Sequence, residues 1–220
     1  MAIDRTMVAS YEKKTVKEKV FENLKEAILK GNLPSGQQIR QDEIALQLGV
    51  SRVPVREALM QLEAVGLVKF SPYKGAVVST LSPDDAREIF EIRSLLEAEA
   101  LVLAFPNLSP EALDRAGQLV EEAGEEQDPL KWSEKNWTFH SFLYQYSERP
   151  RLIALIRSLH DNVAPYRALY LRTLDSHCES TAAHGRIVQS LREGRIEEAA
   201  RLLKEHLALA EMNIIRYLKR

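Results

Sequence analysis

Cysteine is almost absent: Cys178 is the only one in 220 residues, so no internal disulfide can form and a reducing, cytoplasmic setting is expected. No run approaches the roughly 18 apolar residues that a membrane span needs, and Met1–Ser10 lacks the apolar stretch of a secretion signal. A soluble chain with no membrane partner is the expectation. Surplus positive charge is missing too. Thirty basic residues meet 32 acidic ones, for a net charge of −2, so whole-chain electrostatics cannot be the basis for binding nucleic acid. There is no His-Glu-x-x-His motif, no internal repeat and no low-complexity tract. What remains is an ordinary globular composition, 45% hydrophobic and 28% charged, enough to build the cores of one or two domains.

The charge that does not show in the total shows in its distribution. Residues 1–81 hold 12 basic and 9 acidic residues, the rest 18 and 23. A mildly basic front and an acidic back fit a DNA-reading module joined to a part that does not touch DNA. Residues 1–14 lack periodicity and read as a flexible arm, whose Lys13 and Lys14, with Lys17 and Lys19 beyond, either meet phosphates or are solvated. Residues 15–80 form the first domain. Helical spacing of Val16, Val20, Leu24, Ala27 and Ile28 predicts a helix over Thr15–Lys30, capped by Thr15 and stopped by Gly31. A second short helix, Gln41–Leu48, follows the Asn32–Gly36 turn.

Gly49 then supplies a left-handed turn, and Ser51 is placed to cap a third helix with its hydroxyl. Pro54 falls in the first turn, where its missing N–H is not needed. Val55, Ala58, Leu59 and Leu62 recur at i, i+3, i+4 and i+7, giving one face for a core. Arg52 and Arg56 share another face, one turn apart, where their guanidinium groups can reach phosphates and guanine edges in a major groove. Gly66 ends the helix. Strands at Leu67–Phe70 and Ala76–Thr80, joined by Ser71–Gly75, complete a winged helix-turn-helix of three helices and a β-hairpin wing. Lys74, at the hairpin tip, is placed for a DNA contact or is a solvated lysine.

The segments Gly31–Gly36, Leu48–Leu59, Gly66–Val68 and Lys74–Val78, in that order, resemble the GntR family of bacterial transcription regulators. The resemblance implies that Ser51, Arg52 and Arg56, with Val53 and Pro54 between them, form the operator-contacting set, together with Lys74 and Gly75 of the wing. It also implies a double-stranded DNA operator and a homodimer to match paired half-sites.

From residue 82 to 220 the pattern is helical throughout, and the fold class is mainly α: a winged helix followed by an antiparallel all-α bundle of about six helices. Segments of roughly 83–105, 110–124, 129–147, 150–173, 179–193 and 195–218 follow one another; Ser82-Pro83, Ser109-Pro110 and Asp128-Pro129 are a cap-then-proline grammar that starts helices, and Glu148-Arg149-Pro150 marks another interruption. Within them His140, His184, His206 and His160 all carry apolar neighbours at helical spacing and point inward. His177, in the polar Asp175–Glu179 connection, is expected at the surface. Buried imidazoles need partners: each is either hydrogen-bonded in the core, or three that converge are satisfied together by a metal ion.

This half resembles the FCD effector domain of the FadR subgroup, through Arg93–Glu97, Asn136–His140, His184–Ile187, Glu193–Arg195 and His206–Leu207. The resemblance implies a divalent metal ion (zinc, nickel or manganese) held by His140, His184 and His206, with a small organic acid effector completing its coordination. It departs from the family at Asn136, where an aspartate is usual, and at Ala183, where a glutamate often stands. An amide oxygen brings no charge, so an ion on this donor set keeps its full formal charge. Arg93 matches the family's first-helix arginine and either clamps the effector carboxylate or holds a helix–helix salt bridge with a glutamate. Tyr166, Arg167, Tyr170 and Arg172 are further pocket candidates. Two rival readings remain: a metal-dependent enzyme acting on a small organic acid, for which no general base is evident, and a DNA-binding dimer with no ligand.

Overall fold

The structure is a computed structural model describing residues 14–171 and 176–219, with backbone alone at residues 130, 167–171, 176 and 177. The arm at 1–14, up to Lys13, lies outside the described residues, as do Arg172 and the side chains of Arg167, Tyr170 and His177. The chain divides into two compact units: one runs up to Ile28 and from Asn32 to Ser79, the other comprises Leu29–Gly31 and everything from Thr80 on.

The first unit contains α1 (Val16–Leu29), β1 (Gln38–Ile39), α2 (Gln41–Leu48), α3 (Arg52–Ala64), β2 (Val68–Ser71) and β3 (Gly75–Val78). Thr15 caps α1 reciprocally with Glu18: Glu18 N donates to Thr15 Oγ1 at 3.2 Å and Thr15 N to Glu18 Oε2 at 2.6 Å. Gly49, at φ +63°, takes the left-handed conformation that ends α2. Val55, Ala58, Leu59 and Leu62 of α3 are fully buried, each of the larger ones contributing about 1.5–3 kcal/mol. Ser51 stands at the N-cap of α3 in extended conformation, but its hydroxyl caps nothing. Contrary to expectation, the exposed first turn is left to other partners, which water can provide as well as a side chain.

The hairpin β2–β3 pairs Val68 with Val78 and Ser71 with Gly75. A third strand, β1, joins it on the far side of β3, with Gln38 opposite Val77 and Ile39 opposite Ala76. Two residues are too short a run for alternation to reveal. What makes β1 a strand is the unpaired edge of β3, which also bonds Gly36 N to Val78 O at 3.0 Å and Val78 N to Gln37 O at 2.9 Å.

The second unit contains six α-helices among the described residues: α4 (Pro83–Ala104), α5 (Pro110–Gly124), α6 (Pro129–Tyr144), α7 (Pro150–Leu171), α8 (Ser176–Arg192) and α9 (Ile196–Leu218). Ser82 and Asp85 form a capping box on α4, Ser109 caps α5, and Asp128 Oδ1 accepts from Lys131 N at the start of α6. Short 3-10 turns at Phe105–Asn107 and Gln145–Ser147 extend α4 and α6. Helix α8 begins at Ser176, so Ser176–Cys178 is helical rather than a connection, and Cys178 is exposed. Phe90, Leu101, Trp132, Phe139, Tyr144, Ile156, Ile187 and Leu203 fill the core, where α4 packs on α6, α7 and α9. Tyr166 is used structurally: its hydroxyl accepts from Leu81 N at 2.8 Å. No helix among the described residues is long and apolar enough to cross a membrane.

Candidate operator-reading face and buried histidine site

The residues proposed to read DNA are presented at the surface. Ser51, Arg52, Val53 and Arg56 are exposed at the N-terminal end of α3, and Pro54 is half-buried. Val55, between the two arginines, is buried, so the turn is pinned from within while its polar side chains remain outside. Arg52 Nε lies 2.7 Å from Asp42 Oδ1 of α2, with both side chains about two-thirds exposed. At the wing, Lys74 and Gly75 are exposed. The tip is fixed by Gln38 Nε2, which donates to Lys74 O at 2.6 Å, and by Lys74 N donating to Ser71 O at 3.3 Å. Tyr73 is fully exposed and sits at φ +68°, a conformation that costs a non-glycine residue roughly 1–2 kcal/mol. With Pro72 before it, Tyr73 holds the turn position where glycine is usual, and no residue pattern marks it in the sequence.

In the second unit the inward histidines separate into three and one. His140 comes from α6, His184 from α8 and His206 from α9, and their ligating nitrogens all lie within 4.8 Å of one another. His184 Nε2 and His206 Nε2 are 3.2 Å apart; two nitrogens bound at about 2.0–2.1 Å to a tetrahedral ion stand about 3.3 Å apart. All three rings are buried, with Phe139 packed at 4.5 Å from the His184 ring. Asn136, one turn before His140, is 4% exposed. Asn136 Oδ1 and His140 Nε2 are both buried with no hydrogen-bond partner among the described residues. Each is an atom that can ligate, so the donor set fits a divalent ion. Burial, then the neighbouring His184 and His206, push the pKa of His140 well below 6.5, which keeps it in the neutral, ligating form. His160 goes elsewhere: its ring rests 4.7 Å from that of Trp137, and its Nδ1 is 3.8 Å from Asp161 Oδ1.

Arg93 pairs with a glutamate on its own helix, not on another. Its Nε donates to Glu97 Oε1 at 2.7 Å, with side-chain exposures of 3% and 1%. Tyr144 donates its hydroxyl proton to Glu97 Oε2 at 2.6 Å and lies 3.2 Å from His140 Nδ1. Burial, then the Glu97 carboxylate, raise the Tyr144 pKa well above 10, so the phenol keeps its proton. Arg93 Nη1 is buried without a hydrogen-bond partner among the described residues. Glu97 and Tyr144 were not singled out from sequence, although the spacing that could have found them is plain: Arg93–Glu97 and His140–Tyr144 are both i, i+4.

Comparison with known proteins agrees with this division. Residues 16–78 match the family of bacterial regulatory proteins named gntR, and residues 88–209 match the FCD domain. The chain is 33% identical over 198 residues to the probable D-xylose utilization operon transcriptional repressor of Paenarthrobacter nicotinovorans, covering 88% of this chain and 86% of that protein. Among solved structures it resembles McbR/YncC of E. coli, with a TM-score of 0.78 at 24% identity over 92% of this chain and 98% of that one. It also resembles a GntR-family transcriptional regulator of Pseudomonas syringae pv. tomato, with a TM-score of 0.57 at 33% identity over 92% and 86%. GntR-family regulators bind operator DNA and are typically dimeric, and the FCD domain is known as a metal-binding effector domain. With a winged helix carrying exposed arginines and a helical unit holding three converging histidines, this chain belongs to the GntR family of bacterial transcriptional regulators and bears an FCD domain.

Proposed function

We propose that this regulator senses a small organic acid through a metal site in its helical unit and reports it as a change in operator affinity. The observation that carries this reading is the convergence of His140, His184 and His206 from three helices, with ligating nitrogens within 4.8 Å. In this reading the three imidazoles and the Asn136 amide oxygen hold a zinc, nickel or manganese ion. When bound, the ion supplies a double positive charge that this neutral donor set leaves uncompensated. The effect is to favour an anion at the open coordination positions. In this reading Arg93, whose charge is felt at His140 and whose Nη1 has no hydrogen-bond partner among the described residues, takes a carboxylate oxygen of the effector while Nε stays with Glu97.

Residues 15–80 serve as the DNA-binding domain, with Ser51, Arg52, Val53, Pro54 and Arg56 on the operator and Lys74 and Gly75 at the wing. Residues 82–220 serve for sensing and dimerisation. An effector that prefers one conformation of the helical unit changes operator affinity by the factor through which DNA changes effector affinity. Exposed Ile92, Leu95 and Val102 on α4 support a second copy covering this helix.

The test is metal analysis and a thermal-shift screen on the purified full chain, sized by sedimentation. About one ion per chain, a dimer, and stabilisation by small carboxylates that depends on the metal are expected. A ligand at a hundred times its Kd contributes about 2.7 kcal/mol. His184→Ala removes the ion and the carboxylate response but leaves DNA binding in place. No bound ion, with no carboxylate stabilisation under any metal, sinks the sensing half.

A further inference from the structure

A line of buried polar groups runs from α4 to the histidine cluster: Arg93 Nε to Glu97 Oε1 at 2.7 Å, Tyr144 Oη to Glu97 Oε2 at 2.6 Å, and Tyr144 Oη to His140 Nδ1 at 3.2 Å. Counting protons fixes its direction. A carboxylate has none to give, so the single phenolic hydrogen lies in the short contact with Glu97. The Tyr144 oxygen then faces His140 Nδ1 with lone pairs only. Two facing lone pairs at this distance repel, and the contact becomes a hydrogen bond only if Nδ1 carries the hydrogen. A neutral imidazole has one N–H. Nε2 therefore keeps its lone pair, and Nε2 is the buried atom of His140 without a hydrogen-bond partner among the described residues.

We propose that Tyr144, backed by Glu97 and Arg93, is a positioning residue that holds His140 in its Nδ1–H form and aims the Nε2 lone pair into the histidine cluster. The purpose of this arrangement rests on the metal reading given above, whereas the tautomer itself does not. It also offsets the neutrality of the ligands. Asn136 and three imidazoles bring no negative charge, and Glu97 places a carboxylate two hydrogen bonds behind them, where it raises the basicity of His140 as a ligand. Tyr144 is 0% exposed and packed in the core, so its ring orientation is set by packing and the hydroxyl cannot swing to another partner without moving the helix. Arg93 in turn holds the Glu97 carboxylate in place through Nε at 2.7 Å, one turn away on the same helix.

The test begins with metal-free protein. Nitrogen-15 NMR of the imidazoles at mildly alkaline pH is expected to show His140 with Nδ1 protonated and Nε2 bare, and Tyr144→Phe is expected to shift the population toward Nε2–H. Zinc and nickel affinities, measured by competition with a chelator, are then expected to fall about 10–100-fold in Tyr144→Phe, with circular dichroism unchanged. Wild-type His140 found in the Nε2–H form overturns the proposal whether or not any variant folds. So does a folded Tyr144→Phe with the wild-type tautomer and metal affinity. Wild type showing the Nδ1–H form, lost in Tyr144→Phe, but binding neither metal would uphold the positioning role and remove the metal reading.

Discussion

Arg52 and Arg93 each place Nε 2.7 Å from a carboxylate oxygen, Asp42 in one case and Glu97 in the other. The first pair is 68% and 69% exposed, the second 3% and 1%. Equal distances therefore describe unequal interactions. In water the Arg52–Asp42 attraction is screened and is worth about 0–1 kcal/mol, so Arg52 can leave Asp42 for a phosphate or a base at little cost. Inside the helical unit neither Arg93 nor Glu97 can trade its partner for water, and Glu97 also accepts a hydrogen bond from Tyr144. The winged unit holds Arg52 and Arg56 at the surface, open to a large polyanion. The helical unit holds its polar groups buried from solvent, where each is tuned by its neighbours.

The contrast breaks most readily at the buried pair. Glu97→Ala, which leaves a buried guanidinium uncompensated, is expected to destabilise the helical unit by about 3–5 kcal/mol, against under about 1 kcal/mol for Asp42→Ala. Denaturant unfolding of both variants measures the difference, and similar losses would end the comparison. Next in size, Arg52→Ala and Arg56→Ala should each weaken specific operator binding by about 1–3 kcal/mol, while each changes stability by no more than about 0.5 kcal/mol. Unchanged operator affinity in both would take these residues out of the interface.

The smallest effect sharpens the helical side. With its pKa pushed well below 6.5 in the fold, His140 binds its proton more readily when unfolded. Its contribution to stability is therefore fully present above the unfolded value of about 6.5 and declines as pH falls below it. Apo-protein melting followed downward from pH 7 is expected to show this decline, and His140→Gln to flatten it. An identical pH profile in the variant would mean that other groups carry the dependence.

Much of the site was legible because helical periodicity ties sequence spacing to a face. The apolar neighbours of His140, His184 and His206 gave the direction of each ring correctly, and the same reasoning nominated His160, which points inward and joins Trp137 and Asp161 instead. Orientation is a property of one helix; convergence depends on how three helices pack. Arg93 shows the same limit. The sequence offers it either an effector carboxylate or a glutamate across a helix interface, whereas the partner in the fold is Glu97, one turn along the same helix. Strand β1 and the left-handed Tyr73 escaped notice because pairing with β3 creates the one and a tight turn the other.

By itself, then, the sequence determined the local grammar: caps and prolines that start α4, α5 and α6, glycines that turn the chain, apolar stripes that choose a buried face, and two arginines one turn apart on an exposed one. Those follow from interactions over a few residues. Only tertiary structure decided that three of four inward histidines meet, that Tyr144 of α6 reaches Glu97 of α4, and that Nε2 of His140 is left without a hydrogen-bond partner among the described residues. These contacts span 47 residues between Tyr144 and Glu97 and 22 between His184 and His206. They exist because burying large apolar side chains brings the helices together, and the polar groups carried with them must then find partners among themselves.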